Sequence, residues 1–314
     1  GLEGGDLAAY VAAGVQTDHE LTSAGDLIGR LEAGLTIELR GSHVHLIPEL
    51  TKALIDLGHL PQTVTLCTDD VFPDDLHVKG GVNDLIATLI ANDMSPAWAY
   101  RAATLNAASR IGRPDLGLVA PGKMADFVLL SNLYNVTASH VFVGGTLVAN
   151  AGKLTKPVSD TPILPSIRNT VQTKEFEATD FEVKAKGPVA RIATLSKPRF
   201  PKWGTRNVGV YDDFLLLPDD MIRMAVCNRY GHGTPTRIAF MENWGTWNGS
   251  FATTLSHDSH NITVFGRDPD DMAVAANTLR DMQGGLVVVA NGEVRAKLML
   301  PVAGLISEQP LARV

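Results

Sequence analysis

Between residues 15 and 70, short apolar or β-branched runs alternate with helical stretches, and this alternation constrains the fold more than any other feature of the chain. Val15-Gln16-Thr17-Asp18-His19-Glu20 reads as a brief strand, 24–32 as a helix, and Leu35-Thr36-Ile37-Glu38-Leu39-Arg40 as a strand. A helix over 48–57 with Pro48 in its first turn and a strand over Thr63-Val64-Thr65-Leu66-Cys67 complete the series. Strands separated by helices and joined by short connections are the pattern of an α/β fold, a parallel sheet or barrel. Parallel strands all deliver their following residues to one edge, where barrels keep their chemistry. Here the strands end in Asp18-His19-Glu20, Arg40-Gly41-Ser42 and Asp69-Asp70, so an imidazole, several carboxylates and a guanidinium collect on one rim.

The size and composition bound what surrounds that rim. A chain of 314 residues, 45% hydrophobic and 19% charged, can bury a sizeable core in two or three domains. Net charge −7 with no basic run disfavours nucleic acid and favours a small-molecule partner. Cys67 and Cys227 are too few for a disulfide scaffold and point to a reducing, cytoplasmic setting. No apolar run is long enough to span a bilayer, so no membrane partner is expected. The opening Gly1-Leu2-Glu3, leading into the amphipathic Asp6-Leu7-Ala8-Ala9-Tyr10-Val11, reads as the interior of a larger fold.

Beyond the acids, helices are expected around 82–91 and 96–103, then a strand over 125–130 and a hairpin over 141–148 about Gly144-Gly145. The Pro-, Thr- and Ser-rich stretch 156–173 reads as a linker or wrapping segment. Strands over 181–195, 213–217 and 221–229, a helix over 268–283 and a hairpin around Asn291-Gly292 make the remainder an α+β domain. His43-x-His45 has ligand spacing but follows the strand over 35–40, where Pro48 begins a helix, and reads as a decoy rather than a ligand pair. His257-Asp258-Ser259-His260 reads as a polar turn or, if functional, as a cap over the barrel mouth.

Several runs carry a family resemblance. Thr104-Leu105-Asn106-Ala107-Ala108, Gly117-Leu118-Val119-Ala120-Pro121-Gly122 and Ala125-Asp126-Phe127-Val128 resemble the segment after the last barrel strand of the metal-dependent amidohydrolases. Within that superfamily, Gly5-Asp6-Leu7-Ala8-Ala9-Tyr10, Thr17-Asp18-His19-Glu20, Arg40-Gly41-Ser42 and Cys67-Thr68-Asp69-Asp70 are similar to the microbial adenine deaminases. His257 to Ile262, Asp270-Asp271-Met272, Gly284-Gly285 and Leu300 to Leu305 are similar to that family's C-terminal domain.

The resemblance implies the C-terminal part of a (β/α)8 metal-dependent hydrolase barrel over 1–113, holding strands six to eight, with the first five strands supplied from elsewhere. It further implies a small β-sandwich domain over 114–165 and an α+β domain over 166–314. The implied activity is hydrolytic deamination of adenine at a divalent, binuclear metal centre of manganese or iron, with zinc as an option, in a homo-oligomer. His19 and Asp69 resemble the metal ligands, with Asp69 also taking the water proton; Glu20 joins this catalytic set and, with Asp70, orients the ligands. Arg40, Ser42 and Asp70 border the purine, Arg40 either touching it or pairing with a nearby acid. The His-x-His of the first strand, the bridging carboxylate of the fourth and the His of the fifth have no counterpart in these residues. Another amidohydrolase acting on a cyclic amide or amidine, and a non-catalytic purine-binding or subunit piece, are the alternatives.

Overall fold

The computed structural model describes residues 1–157, 162–196 and 201–314, and divides into two units, Gly1–Asp160 and Thr161–Val314. The first unit begins with α1 (Gly4–Ala12), β1 (Thr17–Asp18), α2 (Ala24–Glu32), β2 (Thr36–Arg40), α3 (Ile47–Asp56) and β3 (Val64–Cys67). The strands form a parallel sheet in the order β1-β2-β3, with Asp18 opposite Ile37 and Arg40 opposite Cys67. Alternation along β2 decides what each face meets. Ile37 and Leu39 turn to the helices and are fully enclosed with Leu27, Leu50, Leu54 and Val64, while Glu38 and Arg40 occupy the other face.

Behind the sheet, Arg30 on α2 is enclosed between two acids. It pairs with Asp18, and its Nε lies 2.9 Å from Asp26 Oδ1. Ser23 caps α2 by accepting the Asp26 amide hydrogen, and Asp26 in turn accepts from the Thr22 amide. Burial raises the Asp26 carboxyl, but hydrogen bonds from Arg30 and Thr22 outweigh it and leave the group below its ordinary value.

After β3 come α4 (Pro73–Val78), α5 (Val82–Ala91) and α6 (Pro96–Arg101), then a π-helical turn over Ala102–Asn106 and α7 (Ala107–Arg110). Asn106 is fully buried and donates to the Val64 carbonyl at 2.8 Å, tying this turn to the start of β3. The chain passes so close at Gly117 that a side-chain Cβ there would stand 2.7 Å from the Thr104 carbonyl oxygen. Both motifs are therefore packing devices. β4 (Phe127–Leu130), β5 (Ala138–Val143), β6 (Thr146–Asn150) and β7 (Lys153–Leu154) follow as an antiparallel sheet in sequence order, with Gly144-Gly145 at the tip of the β5–β6 hairpin.

Residues 158–161 of the expected linker lie outside those described; Pro165–Ile167 forms one 3-10 turn. The second unit contains β8 (Val189–Ser196), β9 (Lys202–Tyr211), β10 (Phe214–Leu216), β11 (Met221–Cys227) and β12 (Arg237–Glu242). β13 (Ser250–Thr253), β14 (Ile262–Gly266), α8 (Pro269–Asp281), β15 (Gly285–Ala290) and β16 (Glu293–Met299) complete it. They form one sheet in the order β10-β9-β8-β12-β11-β14-β13-β15-β16, antiparallel apart from the parallel β8–β12 pair. Met272, Ala275, Ala276 and Leu279 of α8 pack with Ala225, Ala252, Val264 and Val287 of the sheet.

The strand expected from Phe181 begins only at Val189. Phe181 instead ends a 3-10 turn held by a Glu177–Asp180 capping box, its ring buried with Phe176 in the α8 core. The final hairpin is as expected: Asn291 and Gly292 have φ of 55° and 75°, the left-handed pair that a type I′ turn requires.

Candidate active site

All three polar strand ends lie on one rim of the β1-β2-β3 sheet. Asp18, the last residue of β1, is turned back toward Arg30, and strand alternation sends His19 the other way. His19 and Asp69 come from strands that flank β2, and His19 Nε2 stands 3.2 Å from Asp69 Oδ2. Glu20 Oε1 lies 3.7 Å from the same nitrogen. Asp69 and Asp70 both adopt positive φ, 50° and 34°, a region that Asp enters more readily than most side chains. The two carboxylates are thereby set at the strand end in quick succession.

Arg40 organises the rest. Its buried guanidinium pairs with Glu20 through Nη1 and with Asp70 through Nη2, and lies 3.4 Å from Asp69 Oδ1. Its Nε donates to Ser42 Oγ at 2.7 Å. The structure thus brings together His19, Glu20, Arg40, Ser42, Asp69 and Asp70, with Arg40 engaged by four of them. A cleft of about 260 Å³ adjoins the cluster, lined by Ser42, Thr68, Asp70, Phe72 and neighbouring residues.

Two members of the site escaped the sequence reading. Glu38 points to the same face as Arg40, with Oε2 3.9 Å from His19 Nδ1; its two-residue spacing from Arg40 was the available signal. Arg110, on α7, places Nε 3.2 Å from Glu38 Oε1, and nothing in the sequence links the two. Cys67, the last residue of β3, is a bystander: burial, with the charges of Glu38 and Asp69, pushes its thiol up to about 11, so it stays protonated at neutral pH.

An imidazole nitrogen and a carboxylate oxygen are ordinary ligands of divalent first-row metals. Two donors each ~2.1 Å from a common ion sit roughly 3 Å apart, the spacing seen between His19 and Asp69. Among the described residues, no three His, Cys, Asp or Glu side chains are disposed to hold an ion by themselves. The pair therefore fits as part of a metal site. His43 and His45 stack edge to face in the turn before α3, and His257 pairs with Asp258 in an exposed turn of the second unit. No helix among the described residues is long and apolar enough to cross a membrane.

Residues 35–148 match the amidohydrolase family. Residues 199–314 match the adenine deaminase C-terminal domain. Adenine deaminase 2 of Rhizobium meliloti (strain 1021) is 51% identical over 315 residues, which cover 100% of this chain and 53% of that protein. Adenine deaminase 2 of Agrobacterium fabrum (strain C58 / ATCC 33970) is 50% identical, covering 100% and 53%, and adenine deaminase of Klebsiella pneumoniae (strain 342) is 45% identical, covering 99% and 52%.

Along its whole length the chain is similar to curated adenine deaminases, and it spans about half the length of the curated relatives it matches. Solved structures overlap it only slightly. Phenylurea hydrolase B has a TM-score of 0.28 at 22% identity, covering 50% of this chain and 38% of its own. Atrazine chlorohydrolase from Arthrobacter aurescens TC1, complexed with zinc, has 0.26 at 16%, covering 49% and 48%.

Proposed function

We propose that this chain contributes the sixth, seventh and eighth strands of a barrel whose mouth hydrolyses adenine to hypoxanthine and ammonia. The observation that carries the reading is the 3.2 Å approach of His19 Nε2 to Asp69 Oδ2, two metal-type donors from separate strands meeting on one rim. The names of the relatives supply the substrate. In this reading His19 and Asp69 would hold a divalent ion, which would supply Lewis acidity enough to bring the pKa of a bound water near neutral. Asp69 takes the proton of the attacking water and passes it to the departing amino group, so water and adenine leave as hypoxanthine and ammonia. Arg40 steadies Asp69 through Oδ1 and leaves Oδ2 facing His19. Glu20 and Asp70, both held by Arg40, keep that guanidinium in register. Ser42 and Asp70 border the adjoining cleft and offer the ring a hydroxyl and an acceptor, with Arg40 behind them.

The remaining ligands of a binuclear centre belong, in this proposal, to the first five strands, outside these residues. Their donors decide among manganese, iron and zinc, since His and Asp suit all three. The sheet 127–154 is assigned to the small β-sandwich domain, and the free thiols Cys67 and Cys227 suit a reducing compartment.

Manganese-loaded full-length protein should release ammonia from adenine, and Asp69→Asn should abolish this. A metal-replete sample that leaves adenine untouched overturns the reading. The absence of a three-ligand set among the described residues favours one other reading, a piece that binds purine without turning it over. Purine binding with neither metal uptake nor ammonia release would establish it.

A further inference from the structure

Glu38 is the one carboxylate at this rim that the proposed reaction leaves without a task. It lies on β2 between Ile37 and Leu39, whose side chains are fully buried on the opposite face, so strand alternation carries Glu38 toward the cluster. The register then sets its neighbour: Asp18 pairs with Ile37, so the next residues along, His19 and Glu38, lie side by side. The imidazole is flanked unequally. Nε2 faces Asp69 at 3.2 Å and Glu20 at 3.7 Å, whereas Nδ1 faces Glu38, at 3.9 Å. Glu38 is itself held, since Arg110 pairs with its other oxygen at 3.2 Å and donates from Nη2 to Thr17 Oγ1 at 2.9 Å.

A neutral imidazole has one lone-pair nitrogen and one N–H, and the partner of the N–H decides which nitrogen is free to bind a metal. We infer that Glu38 is a positioning residue whose carboxylate, 3.9 Å from Nδ1 and short of a hydrogen bond in this structure, closes on the Nδ1 hydrogen of His19 when the site is loaded and so reserves Nε2, the nitrogen beside Asp69, for the metal ion. This rests on the metal-site reading above and deepens it. Arg110 acts one step further back, keeping the Glu38 carboxylate in place while its second oxygen serves the histidine.

The test titrates Mn²⁺ alone into the full-length apo protein by calorimetry. Glu38→Ala should weaken binding about 10- to 100-fold, the usual effect of removing an outer partner of a ligating histidine. Glu38→Gln, whose amide oxygen still accepts, should recover most of it. A purely structural role through Arg110 would make Glu38→Gln as damaging as Glu38→Ala, and Arg110→Met equal to both. Nitrogen-15 NMR of the unsubstituted protein loaded with diamagnetic Zn²⁺, which depends on no variant folding, should show His19 protonated at Nδ1 with Nε2 on the metal. Unchanged Mn²⁺ affinity in Glu38→Ala, failure of Gln to rescue, or an Nε2-protonated His19 would each overturn the inference. Adenine turnover enters none of these measurements, so failure of the deaminase reading and failure of this one are distinguishable.

Discussion

Two arginines in the first unit are almost equally buried, Arg30 with 5% and Arg40 with 8% of the side chain exposed, yet they serve different ends. The acids around Arg30 are buried with it, Asp18 at 8% and Asp26 at 3%, so the triad is sealed between helix and sheet. The acids around Arg40 are open, Glu20 at 61% and Asp70 at 64%, with Asp69 at 28%. Burial of the cation alone therefore does not tell a strut from a site. A sealed triad spends its charges on one another, whereas the rim cluster keeps carboxylate oxygens open to solvent, where the proposed metal and substrate would meet them.

Substitutions can break that contrast, and the largest effect is expected at the rim. Asp69→Asn should lower adenine turnover about 100- to 10,000-fold, as loss of a proton-transferring group does, with little change in melting temperature. Arg30→Met should do the reverse: removing the cation leaves two buried carboxylates uncompensated, at a cost of about 3–5 kcal/mol in denaturant unfolding. Equal loss of stability in both variants would erase the distinction. Arg40→Met falls between, because its exposed partners are screened by solvent and contribute under about 1 kcal/mol each. The marker of this variant should be lost turnover in a protein that still folds.

The pH dependence separates the two clusters further. The Asp26 carboxyl lies below its ordinary value, so its contribution to stability is complete above the unfolded carboxylate value and is lost as pH falls through the lowered folded one. Acid unfolding followed by circular dichroism should lose that limb in Asp26→Asn. The smallest effect is expected at Cys67. With its thiol pushed up to about 11, Cys67→Ala should leave turnover within about twofold, and alkylation at neutral pH should be slow.

How much of this was legible beforehand depends on distance along the chain. The strand-helix alternation of the first seventy residues, the shared rim and the Asn291-Gly292 hairpin followed from local pattern, because period and turn chemistry are properties of neighbouring residues. The strands β12, β13 and β14 and the parallel β8–β12 pair did not, since pairing across a nine-stranded sheet joins segments whose short apolar runs look alike. Phe181 passed for strand on its apolar character, while a local capping box and burial beneath α8 made it a turn.

In the site the same division holds. Sequence alone determined which ionisable residues follow which strands, and hence that His19, Arg40 and Asp69 are delivered to one edge once the strands run parallel. Tertiary structure alone decided that Asp18 turns away to Arg30 while His19 turns in, that Arg40 is taken up by four rim partners, and that Arg110 reaches Glu38 from a helix far along the chain. The reason is physical: strand order sets position along an edge, but the facing of each side chain and its choice of partner depend on burial and charge contributed by segments that only folding brings near.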